Sequence, residues 1–106
     1  AYAEMVRRAR ERGIFAIGGT ILPFMGFETY RPTAVNEADR QAINAWIRTP
    51  GNFDAVVDFD AALRDPARPD WLRPDMDNGD HIHPSIAGYR TMAETVPLDL
   101  FLRRRR

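Results

Sequence analysis

The chain has 106 residues, 44% of them hydrophobic and 28% charged, and a formal net charge of zero. This is the length and composition of one folded domain, and the charge balance excludes nucleic-acid binding through bulk positive charge. The lack of cysteine excludes disulfides, thiolate zinc sites and cysteine nucleophiles, and no apolar run approaches the ~20 residues of a membrane span.

In chain order, Tyr2, Met5, Val6 and Ala9 recur at helical spacing, so residues 2–12 are predicted to form an amphipathic helix. Arg7, Arg8, Arg10 and Arg12 fill its solvated faces, and Gly13 stops it. The unbroken apolar run Ile14-Phe15-Ala16-Ile17 predicts a strand buried on both faces, ended by Gly18-Gly19-Thr20. Ile21 to Val35 reads as a long loop with an aromatic lining from Phe24, Phe27 and Tyr30. Asn36 is predicted to cap a helix that runs to Arg48, with Ala42, Ile43, Trp46 and Ile47 as its apolar stripe. Thr49-Pro50-Gly51 ends it.

Ala55-Val56-Val57, within Phe53 to Phe59, predicts a second short buried strand, and Ala61-Ala62-Leu63 a brief helical turn. Asp65 to Gly79 is a polar, proline-rich loop. Ser85 caps a last helix marked by Ile86, Tyr89, Met92, Ala93 and Val96. Arg103 to Arg106 form a charged tail, read as solvated. The alternation of helix and strand predicts an α/β fold with a parallel sheet. Two apolar strands leave exposed edges, so further strands are expected beside them, from another chain or from more of the same domain.

The stretch with chemical content is Asp77-Asn78-Gly79-Asp80-His81-Ile82-His83-Pro84. A carboxylate three residues before a histidine, on a turn, can accept from the imidazole Nδ1–H and leave Nε2 free as a base. Asp80 and His83 have this spacing, which serves equally to cap the helix and tie down the loop. His81 and His83 beside Asp75, Asp77 and Asp80 compose a partial metal set without a third histidine. All fifteen basic residues are arginines, which excludes lysine Schiff bases and phosphate-loop lysines. The sole serine, Ser85, is placed as a helix cap and not as a nucleophile for His83.

The block from Gly79 to Pro84, followed by Gly88-Tyr89, resembles the C-terminal block of the SGNH hydrolases, also called GDSL lipases and esterases. Ile17-Gly18-Gly19-Thr20-Ile21-Leu22-Pro23 is similar to a late strand and loop of that family. Arg40, Asn44, Trp46, Ile47 and Arg48 are similar to its next helix, and Phe53 to Phe59 to its last strand. The resemblance implies a flavodoxin-like three-layer α/β/α fold, of which residues 1–106 are the C-terminal portion. It also implies a Ser-His-Asp esterase mechanism that needs no cofactor, in which His83 is the base and Asp80 its orienting carboxylate.

The family's Gly-Asp-Ser nucleophile motif and its oxyanion-hole blocks have no counterpart here. The segment is therefore expected to be a fragment lacking the N-terminal half of its domain, inactive and poorly stable alone. The expected substrate is a small-molecule ester, short acyl or carbohydrate rather than long lipid, with Phe24 and Phe27 flanking its pocket. The alternatives are a small metal-binding protein using His81, His83 and Asp80, or a non-catalytic α/β interaction module. The sequence assigns no compartment.

Overall fold

The computed structural model describes residues 1–102. The arginine run 103–106, read above as a solvated tail, lies outside the described residues. Six helical and strand-forming stretches match the sequence reading in kind. The elements are α1 (Tyr2–Glu11), β1 (Ile17–Gly19), α2 (Ala34–Arg48), β2 (Ala55–Val57), α3 (Phe59–Leu63) and α4 (Ile86–Thr95), followed by a 3-10 helix over Leu98–Leu102. Among the described residues no helix is long and apolar enough to cross a membrane.

The two strands pair in parallel, with Ile17 opposite Ala55, Gly18 opposite Val56 and Gly19 opposite Val57. The result is a β-α-β unit in a mixed α/β chain. Asp54 fastens one end of the ladder: its backbone N–H donates to Ala16 O at 2.9 Å, and its Oδ2 accepts from Ala16 N at 2.8 Å. At the other end Thr20 N–H donates to Val57 O at 3.2 Å.

The first strand lies further along the chain than its apolar run predicts. Ile14 and Ile17 are exposed, and the glycines expected to break the strand form it instead. Packing explains the shift. A Cβ at Gly18 would sit 2.6 Å from Phe53 Cδ2, and one at Gly19 would sit 3.2 Å from Phe59 Cε2. Two aromatic rings thus lie directly on the backbone of β1, an approach that only glycine permits.

The start and buried face of α2 also differ from the prediction. Its N-cap is Thr33, three residues before Asn36. Asn36 takes the N3 role of a capping box, where its Oδ1 accepts from Thr33 N at 2.8 Å. Ala42 and Ile43 of the expected apolar stripe are exposed, while Arg40, Asn44 and Ile47 are buried. The buried polar groups are fully partnered. Asn44 accepts from Ile21 N at 2.7 Å and donates to Ile21 O at 2.9 Å, so its amide holds both backbone groups of one residue. Arg40 donates to Ile21 O, Pro69 O, Glu37 and Asp60.

Asp60 is the partner of three guanidinium groups: Arg40 at 2.6 Å, Arg48 at 2.6 Å and Arg64 at 3.0 Å. Arg48 also bridges to Asp58, whose carboxyl it holds down at about 2, with help from the Ala61 N–H and the Thr20 hydroxyl against partial burial. On α1 Arg7 and Arg8 form an exposed charged face, as expected, whereas Arg10 is half-buried. Arg7 pairs with Glu4 and Glu11, Arg8 pairs with Glu4, and Arg10 reaches Gly51 O and Asp54.

Apolar packing gathers at the other end of the unit. Leu63, Leu72 and Met76 are buried together, with Leu22, Ala62 and Met92 against them. Helix α4 forms where predicted, and Ser85 caps it by accepting from Gly88 N at 3.2 Å. Its expected apolar face is only partly buried: Ile86 and Tyr89 are exposed, and Gly88 makes the close contact. A Cβ at Gly88 would meet Met76 O at 2.6 Å, so α4 rests on the backbone that leads into the Asp/His turn.

Candidate active site

That turn is a closed loop. Ser85 N–H donates to Met76 O at 2.8 Å, Asn78 N–H donates to His83 O at 3.1 Å, and Asp77 and Pro84 form an antiparallel bridge. Within it, three side chains in succession accept from backbone N–H groups two residues on, the local bonding that Asp and Asn favour in turns. Asp77 Oδ1 accepts from Gly79 at 2.8 Å, Asn78 Oδ1 from Asp80 at 3.0 Å, and Asp80 Oδ1 from Ile82 at 3.1 Å. The backbone is left-handed at Gly79, φ 107°, and again at His81, φ 66°. The sequence fragment Asp-Asn-Gly-Asp supplies the residues this bending requires.

The bends bring Asp80 back onto His83. Asp80 Oδ1 also accepts from His83 N at 2.9 Å, and its Oδ2 lies 2.6 Å from His83 Nδ1. An ionised carboxylate can only accept, so Nδ1 carries a proton, and in the neutral ring Nε2 keeps its lone pair. The His83 ring bond, then the His83 and Ile82 N–H groups, hold the Asp80 carboxyl at about 2, so it stays charged at neutral pH. The His83 side chain is 61% exposed, so Nε2 is accessible.

A second pair of the same kind stands beside the first. Asp77 Oδ2 lies 2.6 Å from His81 Nδ1, and Asp77 Oδ1 accepts from His81 N at 3.0 Å. Burial pushes the Asp77 carboxyl up, but the Gly79 N–H and the His81 ring and N–H outweigh it and leave it below its ordinary range. The His81 ring packs edge-on against Trp71, with centroids 5.1 Å apart. Trp71 in turn lies against Gly26, where a Cβ would fall 2.4 Å from its Cζ3. The sequence reading treated Asp77 and His81 only as metal candidates. Their Asp-x-x-x-His spacing across Asn-Gly was the available signal for a pair.

The structure divides the two phenylalanines. Phe27 lines a cavity of about 330 Å³ with Glu28, Thr29, Gly79, Asp80 and His81. Phe24 lines a different hollow with Ile21, Asn36, Asp39, Arg40 and Ile43. Ser85 is committed to structure, since its hydroxyl donates to Asp75 O at 3.0 Å while accepting from Gly88. The metal alternative assumed two imidazoles on one extended face. Instead each ring turns to its own aspartate across a left-handed residue. Among the described residues no group of three His, Asp or Glu side chains could hold a metal ion.

A β-α-β unit is thus followed by a carboxylate-bound imidazole just before a capped helix, in an α/β chain. The profile of the GDSL-like Lipase/Acylhydrolase family matches residues 1–91, from α1 into α4 and including the whole turn. The chain belongs to that family, whose members' name describes ester hydrolysis. No curated protein matches the chain at a significant level.

Proposed function

We propose that Asp80 and His83 are the orienting carboxylate and the general base of a serine ester hydrolase, and that residues 1–106 form the C-terminal portion of its catalytic domain. The 2.6 Å approach of Asp80 Oδ2 to His83 Nδ1 carries the reading. With Nδ1–H bound to Asp80, His83 Nε2 takes the proton of a serine hydroxyl as that oxygen attacks the ester carbonyl. The imidazolium then returns the proton to the departing alcohol, and the same base activates the water that releases the acid. Asp80 remains ionised throughout and stabilises the imidazolium.

The nucleophile and oxyanion donors belong to the rest of a flavodoxin-like three-layer domain. Two observations favour this. Ser85, the sole serine, is held by Asp75 and Gly88. Among the described residues the sheet has two strands, and Met5, Ile14, Ile17 and Ile43 are exposed, as expected of surfaces that further strands and helices cover. The cavity beside Asp80 has one apolar aromatic ring, Phe27, and the polar side chains Glu28, Thr29 and His81, which suits a short acyl or hydroxylated carbohydrate group better than a long lipid chain.

The 106-residue chain alone is expected to hydrolyse p-nitrophenyl acetate no faster than free imidazole at the same concentration. Faster turnover that disappears in His83→Ala would contradict the placement of the nucleophile outside these residues.

A further inference from the structure

We propose that the Asp77–His81 pair is a positioning element that sets the geometry of the Asp80–His83 pair; the proposal deepens, and rests on, the ester-hydrolase reading. The argument begins with the backbone. His81 lies between Asp80 and His83, and its φ of 66° is a left-handed conformation that only a few per cent of non-glycine residues adopt, histidine among the more tolerant. This left-handed step folds the chain so that residue 83 returns to the carboxylate of residue 80. Something must hold it there.

Two contacts do so. Asp77 grips the residue twice, through His81 N and through the ring Nδ1, and its own side chain is only 9% exposed. The opposite constraint is Trp71, against whose ring the imidazole packs at 5.1 Å. Trp71 is itself fixed. Its N–H donates to Arg68 O at 2.9 Å, its carbonyl accepts from Asp65 N at 2.9 Å, and the Arg68 guanidinium lies 4.7 Å from the indole centroid. His81 is therefore clamped between a buried carboxylate and an anchored indole. The clamp acts on the residue whose conformation decides whether Asp80 reaches His83.

The readout is the tautomer of His83, which a general loss of stability would not change in the folded molecules. In imidazole nitrogen spectra of the ring-labelled complete protein at about pH 8, above the ordinary histidine range, the His81 and His83 rings are assigned by the signals lost in His81→Gly and His83→Ala. Wild-type His83 is expected in the Nδ1–H form. In His81→Gly, which keeps the left-handed backbone but removes the clamp, the Nε2–H form is expected to rise roughly threefold or more. His81→Asn, whose amide tolerates the same backbone and can donate to Asp77, is expected to restore the Nδ1–H form. Where His81→Gly does not give a dispersed amide spectrum, Asp77→Asn replaces it: the amide oxygen still accepts from Gly79 and His81, but the charge is gone.

A wild-type His83 pattern in the folded variant overturns the proposal. So does loss of folding in both variants, which would make the pair part of the fold and not a setting for His83. No ester turnover is read, so the two readings fail separately. Unchanged variants contradict the positioning role alone, whereas wild-type His83 already in the Nε2–H form contradicts the Asp80–His83 pair and the proposed function with it.

Discussion

Arg40 and Asp60 form an ion pair at 2.6 Å in which neither side chain reaches solvent. The pair also joins the two loops that flank the Asp/His turn, because Arg40 donates to Ile21 O at 2.9 Å and to Pro69 O at 3.1 Å. Burying charge is costly unless every group is partnered, and removing one partner strands the other. Arg40→Met is expected to cost ~3 kcal/mol, the low end for a broken buried pair because Arg48 and Arg64 still contact Asp60. Urea unfolding of the variant checks this, and a change under about 1 kcal/mol would show that the network is dispensable.

Gly26 has φ 91° and almost touches the Trp71 indole. Gly26→Ala combines a disfavoured backbone with a steric clash, so it is expected to destabilise by more than about 1 kcal/mol. The displaced indole should also loosen its contact with His81. A lowered melting temperature together with an altered Trp fluorescence spectrum is the expected result.

Acid should unfold the chain in a defined window. Asp58 and Asp80 have carboxyls lowered from 3.8 to about 2 by Arg48 and His83 respectively. A carboxyl lowered in the folded state adds stability above its unfolded value and loses it as pH falls through the folded value. Stability is therefore expected to be level above pH 5 or so and to drop between about 4 and 2. Asp58→Asn should be less stable at neutral pH and show a shallower drop. A drop of the same steepness would place the acid sensitivity elsewhere.

Much of the architecture is legible in the sequence, because α1, β2 and α4 are written in local patterns: spacing of apolar residues, Gly13 as a stop, Ser85 as a cap. The turn chemistry around Asn78-Gly79 is equally local, and the Asp80–His83 spacing allows their contact, although the left-handed His81 between them was not foreseen. What stays hidden depends on distant partners. Gly18 and Gly19 look like strand breakers until Phe53 and Phe59 are placed on them. Arg40 and Asn44 look like solvent-facing residues until Asp60 and the Ile21 backbone arrive from elsewhere in the chain. The 3-10 helix over Leu98–Leu102 is short and has no periodicity to announce it. Asp77 and His81 escape notice as a pair because their contact needs two left-handed residues.

In the complete reading frame, Asp80→Asn should leave the turn intact, since the amide oxygen still accepts from Ile82 and His83. It should nevertheless present His83 in the wrong tautomer, and the expected loss in kcat is roughly 10³–10⁴ with KM within about threefold. Steady-state kinetics on a soluble short-chain ester separates the two terms. A raised KM with unchanged kcat would assign Asp80 to substrate binding.

Phe27→Ala should raise KM for acetyl esters several-fold and leave kcat within about twofold, because the ring lines a cavity that His83 does not line. Phe24→Ala, in its separate hollow, should change neither. Equal effects of the two substitutions would contradict the division of the two rings.

The most direct measurement expresses the complete open reading frame that contains these 106 residues and compares wild type with His83→Ala on p-nitrophenyl acetate. The account predicts ester turnover in the wild type and a fall in kcat of at least ~10³, with the variant folded and KM little changed. Turnover in His83→Ala within about tenfold of wild type would contradict the assignment of His83 as the base.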